Sequence, residues 1–351
     1  MGSKVFKYQN YILPSKKIEA FDELTKDSYI YYPIIGDTFT VFESIDKILY
    51  LIYTNRNHSI ISYNLINYEK INEIKRAHNK NISNFKYYLD NLNKRDLILS
   101  LSNEENNIKL WNIKNCDCLL KIENINIDKY AFSSSFIFNN DNQLYIAAST
   151  NCVYYSNLPS IINFFDINGE IIPEKSIECI DNIFSIDNYY HKKNLKNYFM
   201  ICCKFMIKSY DYNKKRLYHE YHNMKYSNNT FIINDNNDII KLIVPCRDNL
   251  IRIWNFDTGE EIKEIKIFSN NDNKLDVFCS LNDDYIFAGY NDNEKSIKLI
   301  NINDGYVSLA LIGNINEITT LKIIKHPKYG ECLISQGFED DQIKLWKYKN
   351  I

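Results

Sequence analysis

Short segments in which apolar and polar residues alternate recur along almost the whole chain. From the N-terminus they are SIISYNL (59–65), NIKLWNI (107–113), IINFFDI (161–167), FMIKSYDY (205–212), LIRIWNF (250–256), SIKLINI (296–302) and QIKLWKY (342–348). Alternation with a period of two residues is typical of a β-strand that buries one face. The pattern therefore predicts an all-β protein built from internal repeats.

A large residue near the end of each copy gives the length of the repeat. These residues are Tyr63, Trp111, Phe165, Tyr210, Trp254, Ile300 and Trp346. They are separated by 48, 54, 45, 44, 46 and 46 residues, close to the roughly 40–45 residues of a four-stranded propeller blade. The longest interval contains an insertion at 150–160. Aromatic core residues alone do not explain seven copies in register, so we predict a single closed seven-bladed β-propeller.

Each repeat has room for four strands except the seventh, which supplies three before the last residue of the sequence. We expect an N-terminal strand, SYIYYPII at 28–35, to complete the seventh blade. Pairing the two termini in one sheet removes a free strand edge. This reading divides the chain into an N-terminal extension, 1–27, and a propeller, 28–351.

Three repeats carry residue sets at matching positions. They are His78, Ser100, Glu104 and Trp111 in the second repeat, Asp248 and Trp254 in the fifth, and Asp340 and Trp346 in the seventh. With these residues the chain resembles the WD-repeat family over roughly residues 28 to 348. Blades of that family are tied by hydrogen bonds among a His, a Ser or Thr, a turn acid and a Trp. The sequence departs from the family pattern, because no repeat keeps an intact Trp-Asp pair and Val244 replaces the hydroxyl in the fifth repeat.

The resemblance implies a rigid, non-catalytic platform that presents loops to protein or peptide partners, several of them in one complex. In this family the residue just before the turn acid faces the narrow mouth of the channel. The candidate partner-binding residues are therefore Arg56, Asn103, Cys203, Arg247, Asn291 and Glu339. This mixed set suits a protein surface better than a polyphosphate, and Arg is a frequent interface anchor. The insertion at 150–160 is an alternative binding site.

Composition narrows the classes of partner and the compartment. The chain has 42 Lys and Arg against 44 Asp and Glu, a formal net charge of -2, which gives no electrostatic reason to expect nucleic acid. No segment has the length and apolar character of a signal peptide or a membrane span. The nine cysteines are scattered and form no C-x-x-C pair, as in reduced intracellular proteins. We expect a monomeric cytoplasmic propeller without nucleic-acid partners.

The sequence offers little catalytic or metal chemistry. It contains no P-loop, G-x-G-x-x-G, H-E-x-x-H or G-x-S-x-G motif. His219 and His222 come closest to a metal site, and Lys192–Lys193 and 214–216 come closest to a lipid site; each set is also explained by solvated strand ends. We predict no cofactor, no metal and no catalytic residue. The alternative is a propeller enzyme, or a lipid- or small-ligand-binding propeller that uses the channel mouth or a blade edge.

Overall fold

The fold is known from a computed structural model. The described residues are 8–11, 39–55, 57–67, 69–124, 129–152, 158–203, 206–222, 231–234, 239–246, 248–267, 275–290, 296–311, 317–337 and 343–348. Within these ranges the secondary structure consists of 28 strands and one short turn of 3-10 helix, Pro173–Lys175. The prediction of an all-β chain is therefore confirmed.

The strands form seven four-stranded sheets, which are the blades of a β-propeller. The N-terminal strand is β1 (Tyr8–Tyr11). Blade 1 consists of β2 (Phe39–Glu43), β3 (Leu49–Thr54), β4 (Ile60–Asn64) and β5 (Glu69–Ile74). Blade 2 consists of β6 (Asn84–Asp90), β7 (Arg95–Ser102), β8 (Asn107–Asn112) and β9 (Asp117–Glu123). Blade 3 consists of β10 (Tyr130–Asn140), β11 (Gln143–Cys152), β12 (Ser160–Phe165) and β13 (Ile177–Cys179). Blades 4 to 7 consist of β14 (Ile183–His191), β15 (Lys196–Cys203), β16 (Ile207–Asp211) and β17 (Arg216–Tyr221); β18 (Phe231–Asn234), β19 (Ile240–Cys246), β20 (Leu250–Asn255) and β21 (Glu261–Lys266); β22 (Leu275–Ser280), β23 (Tyr285–Tyr290), β24 (Ile297–Asn301) and β25 (Val307–Leu311); β26 (Ile318–His326), β27 (Gly330–Gly337) and β28 (Ile343–Tyr348) with β1. The seven-bladed prediction is confirmed.

An N-terminal strand completes the seventh blade, as expected from the sequence. The sheet has the order β1-β28-β27-β26, and β1 runs antiparallel to β28 with Tyr8 opposite Tyr348 and Tyr11 opposite Leu345. The strand beside β28 is Tyr8–Tyr11, nearer the N-terminus than the predicted segment 28–35, which lies outside the described residues. The domain boundary at residue 28 stays a prediction.

Burial decreases from the second strand of a blade to the fourth. In β7 every residue from Asp96 to Ser102 is buried, because this strand is covered on both faces and is correspondingly apolar. By contrast, most residues of β9 and β21 are exposed, and β21 reads Glu-Ile-Lys-Glu-Ile-Lys. Charged residues on an outermost strand discourage pairing with another chain.

The chain forms two compact units by contact density, a first unit of residues 37–62 and 71–228 and a second unit of residues 1–36, 63–70 and 229–351. The core of the first unit contains clusters around Trp111, around Leu99 and around Phe199. The core of the second unit contains clusters around Ile286 and around Trp346. All five clusters include residues from consecutive blades, so packing between blades supplies much of the buried apolar area.

Removing β1 tests the pairing of the termini. Deletion of residues 1–11 leaves the backbone groups of β28 without their partner strand, and we expect aggregation at micromolar concentration and a lower melting temperature. Deletion of residues 1–7 is the matched control, since it spares β1. Size-exclusion chromatography and thermal denaturation measure both variants. Equal behaviour of the two deletions would contradict the pairing.

Candidate functional site

The second blade contains a continuous hydrogen-bonded chain of side chains. Trp111 Nε1 donates to Ser100 Oγ at 2.8 Å, and Ser100 Oγ lies 2.7 Å from His78 Nε2. His78 Nδ1 lies 3.0 Å from Glu105 Oε2. A neutral imidazole with its proton on Nδ1 satisfies all of these contacts, since Nε2 then accepts from the serine hydroxyl. The chain of hydrogen bonds joins β7 and β8 to the segment that precedes β6 and to the turn that follows β7.

The acid of this network is Glu105, where the sequence analysis placed Glu104. Glu105 also accepts from the backbone and side-chain nitrogens of Asn79, each at 2.9 Å. Glu104 is exposed and accepts only from Asn81 Nδ2, at 3.3 Å, among the described contacts. The side chains of adjacent residues in a tight turn point to different sides. A prediction that is wrong by one position therefore selects the exposed Glu104 in place of Glu105, which binds His78.

His78 is held neutral by its surroundings. Burial, followed by the charge of Lys109, lowers the pKa of His78 to about 4, and Glu105 only partly offsets these effects. Burial favours the uncharged form of an imidazole because the charged form loses its hydration. His78 is therefore a structural residue with both ring nitrogens in use.

The other two tryptophans keep only parts of this network. In blade 7, Trp346 Nε1 donates to Ser335 Oγ at 2.8 Å, while Asp340 lies outside the described residues. Ser335 was not among the predicted network residues, although it lies eleven residues before its tryptophan, as Ser100 does in blade 2. In blade 5, Trp254 is buried, and Asp248 pairs with Arg252 through two bonds of 3.2 and 3.0 Å. The turn acid of blade 5 is thus engaged by an arginine of the following strand, β20.

Of the six candidate partner-binding residues, Arg56, Arg247, Asn291 and Glu339 lie outside the described residues. Asn103 is half-buried in the turn after β7, where its Oδ1 accepts from Ser83 Oγ at 2.5 Å. Cys203 ends β15 and is 2% exposed, packed among the core residues of the first unit. Burial raises the pKa of the Cys203 thiol. Asn103 and Cys203 belong to blades 2 and 4.

The end of a blade at which its second strand joins its third is here called the second-turn end. In blade 2 it is built from two segments, 75–83 before β6 and 103–106 after β7. Asn79 and Asn81 bind the two glutamates of the turn, and Lys109 Nζ donates to Ala77 O at 2.6 Å. The backbone around Asn103 is therefore held before any partner arrives.

The opposite end, at which the first strand of a blade joins its second, is here called the first-turn end. In the first unit it contains a cleft of about 450 Å³ between the first strands of blades 2, 3 and 4. Its lining residues are Lys86, Tyr87, Tyr88, Phe136, Ile137, Phe138, Asn139, Asp187, Asn188, Tyr190 and Asn197. Lys86 Nζ pairs with Asp187 Oδ2 at 3.3 Å, which joins blade 2 to blade 4. The sequence analysis did not find this site, because its walls come from three separate repeats.

The described residues contain no group of three His, Cys, Asp or Glu side chains that could hold a metal ion. His222 Nε2 lies 3.6 Å from Glu220 Oε2, and the backbone N–H of His219 donates to Ser209 Oγ. All nine cysteines fall within the described ranges, and none of them forms a disulfide bond. The part of the chain that the structure describes contains no helix that is long and apolar enough to cross a membrane.

Comparison with known proteins identifies the fold and no family. No protein-family model matches the sequence, and no curated protein matches it. The β-propeller domain of Cps50 (Swd1) from Myceliophteria thermophila superposes with a TM-score of 0.65, covering 92% of this chain and 99% of that chain at 13% identity. BBS1N in complex with ARL6DN, soaked with lead, superposes with a TM-score of 0.63, covering 92% of this chain and 94% of that chain at 10% identity. The chain has the architecture of a seven-bladed propeller.

Exchange of the two turn acids tests which one supports the network. Glu105→Ala leaves the His78 Nδ1–H and the Asn79 backbone N–H without their acceptor, so we expect a loss of about 1–3 kcal/mol in unfolding free energy. Glu104→Ala is the matched control, with an expected change below about 0.5 kcal/mol because its carboxylate is exposed. Urea denaturation measures both. A larger loss for Glu104→Ala would reverse the assignment.

The lowered pKa of His78 predicts that stability depends on pH. Between its ordinary pKa of 6.5 and about 4, the unfolded chain binds a proton at this residue and the folded chain does not. Stability is therefore complete above pH 6.5 and falls as the pH drops, by up to about 3 kcal/mol from this group. Urea denaturation from pH 7.5 to pH 4.5 should show a smaller slope for His78→Gln than for the wild type. His222→Asn, at an exposed site, should keep the wild-type slope; an unchanged slope in His78→Gln would contradict the prediction.

Proposed function

We propose that this protein is a WD-repeat-type propeller that binds protein or peptide partners and performs no catalysis. The observation that carries the proposal is the hydrogen-bonded frame at the second-turn end of blade 2. A surface whose loops are already ordered loses little conformational entropy when it binds, which favours recognition. The frame also uses the polar groups of His78 and Glu105 for structure, and so leaves neither as a general base.

The binding surface in this proposal is the second-turn end of the blades, where the family resemblance places Arg56, Asn103, Cys203, Arg247, Asn291 and Glu339. The two arginines are the expected anchors, because interface energy concentrates in a few Arg and aromatic residues. Because the thiol of Cys203 is buried, this residue would contribute to the surface by holding the adjoining backbone in position. Asn103, held by Ser83, contributes a fixed polar group.

Two further observations support a scaffold in a reducing compartment. One structural neighbour, BBS1N, is described in complex with ARL6DN, so the propeller architecture is compatible with a bound protein partner. None of the nine cysteines forms a disulfide bond, and reduced thiols are usual in intracellular proteins. We therefore place the protein in the cytoplasm as a monomeric propeller within larger complexes.

Replacement of the two arginines tests the proposed surface. In affinity purification from cells that express the tagged protein, Arg56→Ala/Arg247→Ala should lose at least one partner that the wild type retains, by about tenfold or more in recovery. Lys47→Ala/Lys114→Ala is the matched control, since it removes two cations from exposed positions at the first-turn end. Both variants should melt within about 2 °C of the wild type, as surface substitutions do. Retention of every partner by the arginine variant would refute the assignment of this surface, and turnover of a small substrate by the wild type would refute the scaffold itself.

A further inference from the structure

Positive charge is concentrated at the first-turn end of blade 4. Two segments there, 191–196 and 211–216, together hold six cations and one carboxylate. The cations are Lys192, Lys193, Lys196, Lys214, Lys215 and Arg216. The carboxylate, Asp211, is buried, whereas all the cations except the half-buried Lys196 are exposed. The whole chain has a net charge of only -2, so this basic patch is a local feature.

The two segments of the basic patch are in contact. The backbone N–H of Tyr212 donates to Asn197 O at 3.2 Å, and Lys196 Nζ lies 3.9 Å from Asp211 Oδ2. The positive field extends to the neighbouring blade, where Lys175 lies 4.1 Å above the Tyr212 ring. Burial and then the charge of Lys215 lower the pKa of Lys175, against the smaller opposing effects of Glu174 and Asp141. Like charges are thus held close together on a rigid surface.

Exposed apolar side chains lie within this charged surface. Leu195, the last residue before β15, is 71% exposed, and Tyr190, near the end of β14, is 48% exposed. Leu195 also has a left-handed backbone, with φ of 52°, a conformation that Gly and Asn adopt far more easily than leucine. Lys94 has the same φ in the equivalent turn of blade 2, so the left-handed backbone belongs to the turn, and the exposed apolar area is the feature that a partner would cover.

The cleft of the first unit adjoins the basic patch. Tyr190 and Asn197 line the cleft and flank the turn 191–196 on its two sides. A volume of about 450 Å³ is within the range of pockets that hold compact ligands or side chains. The Oδ1 atom of Asn188, in the lining, is buried without a hydrogen-bond partner in the described part of the chain. The cleft therefore offers an apolar wall and an unsatisfied acceptor beside a dense cluster of cations.

We propose that the first-turn end of blades 2 to 4 binds an acidic peptide segment that carries an apolar anchor. The anchor enters the cleft beside Tyr190 and Leu195, and the flanking carboxylates contact the lysines of the basic patch. This inference rests on the proposed binding function and adds a second surface with a defined partner chemistry. Complementary charge speeds association and excludes basic partners, while burial of the anchor supplies affinity.

The shape and charge of the cleft favour a peptide over other anionic ligands. A bilayer surface is broad and does not fill a concave cleft of this size. Nucleic acid requires cations along the path of its phosphates, but the cleft holds the Lys86–Asp187 ion pair, in which Asp187 is the more exposed partner. A peptide can place its carboxylates over the patch and an uncharged side chain in the cleft.

Binding of a designed acidic peptide to the full-length protein tests this proposal. The probe is a fluorescein-labelled 12-residue peptide in which Asp and Glu flank a central Leu-Phe pair, measured by fluorescence anisotropy. We expect saturable binding with a Kd of about 1–100 μM that weakens as salt increases. Lys192→Glu/Lys193→Glu should weaken binding by at least about tenfold. Lys75→Glu/Lys80→Glu is the matched control at the second-turn end, and should bind within about twofold of the wild type.

A second variant separates binding from folding. Leu195→Asn suits the left-handed backbone better than leucine, so it should keep or raise the melting temperature. The same variant removes apolar contact area beside the cleft and should weaken the peptide by about fivefold, as should replacement of the Leu-Phe pair of the peptide by Ser-Ser. Full affinity in Leu195→Asn together with full affinity for the Ser-Ser peptide would overturn the anchor.

Other outcomes identify the alternatives. The first alternative is a membrane surface. It would be indicated if the wild type binds no peptide but sediments with vesicles of 70% phosphatidylcholine and 30% phosphatidylserine, and if Lys192→Glu/Lys193→Glu no longer sediments with them. Binding of labelled oligouridylate under the same conditions would replace it by RNA. Absence of peptide binding alone overturns this inference and leaves the partners lost by Arg56→Ala/Arg247→Ala to support the proposed function. If no partner is recovered with the wild type either, the proposed function fails as well.

Discussion

Hydrogen bonds from amide side chains to the backbone of the next blade hold the first unit together. Asn106 Oδ1 accepts from the Phe132 backbone N–H at 2.9 Å, and its Nδ2 donates to Tyr130 O at 2.8 Å. Asn151 binds the N–H and the C=O of Ile183 in the same way, at 2.9 and 2.7 Å. A primary amide offers a donor and an acceptor together. Each of these residues therefore binds a backbone N–H and a backbone C=O near the start of the first strand of the following blade.

A similar arrangement operates at the first-turn end. Asp96, near the start of β7, accepts from the Ile45 backbone N–H at 3.2 Å in the preceding blade, and from Tyr87 Oη at 2.8 Å. Asn197, at the equivalent position of β15, donates to Asn139 O at 3.0 Å. Second strands are thus bound to neighbouring blades near both of their ends. The first strands that they flank are held in place, so the cleft between blades 2 and 4 has fixed walls.

The sequence predicts the number of blades because the repeat is an arithmetic property of the chain. Seven large residues recur at near-constant spacing, so the blades can be counted without knowing the conformation of the loops. The strand that completes blade 7 was harder to place, because more than one N-terminal segment has the composition of a strand and only pairing distinguishes them. The prediction of Glu104 in place of Glu105 has a similar cause. Both residues of the turn are glutamates, so the sequence does not show which of them faces His78. The cleft had no local signal at all, because Lys86 and Asp187 are 101 residues apart.

The second-turn end of blade 2 and the first-turn end of blade 4 differ in how their charges are balanced. At the second-turn end of blade 2, Glu105 is engaged by His78, Asn79 and Lys109, so charge is balanced within a few ångströms. In the first blades, an exposed cation of the first-turn end is paired with a carboxylate, as Lys114 is with Asp46 at 3.0 Å. The turns of blade 4 hold six cations and a single carboxylate, the buried Asp211, together with the exposed Leu195. Local repulsion and apolar exposure are costs to the isolated chain, and a partner that carries carboxylates and an apolar side chain relieves both at once.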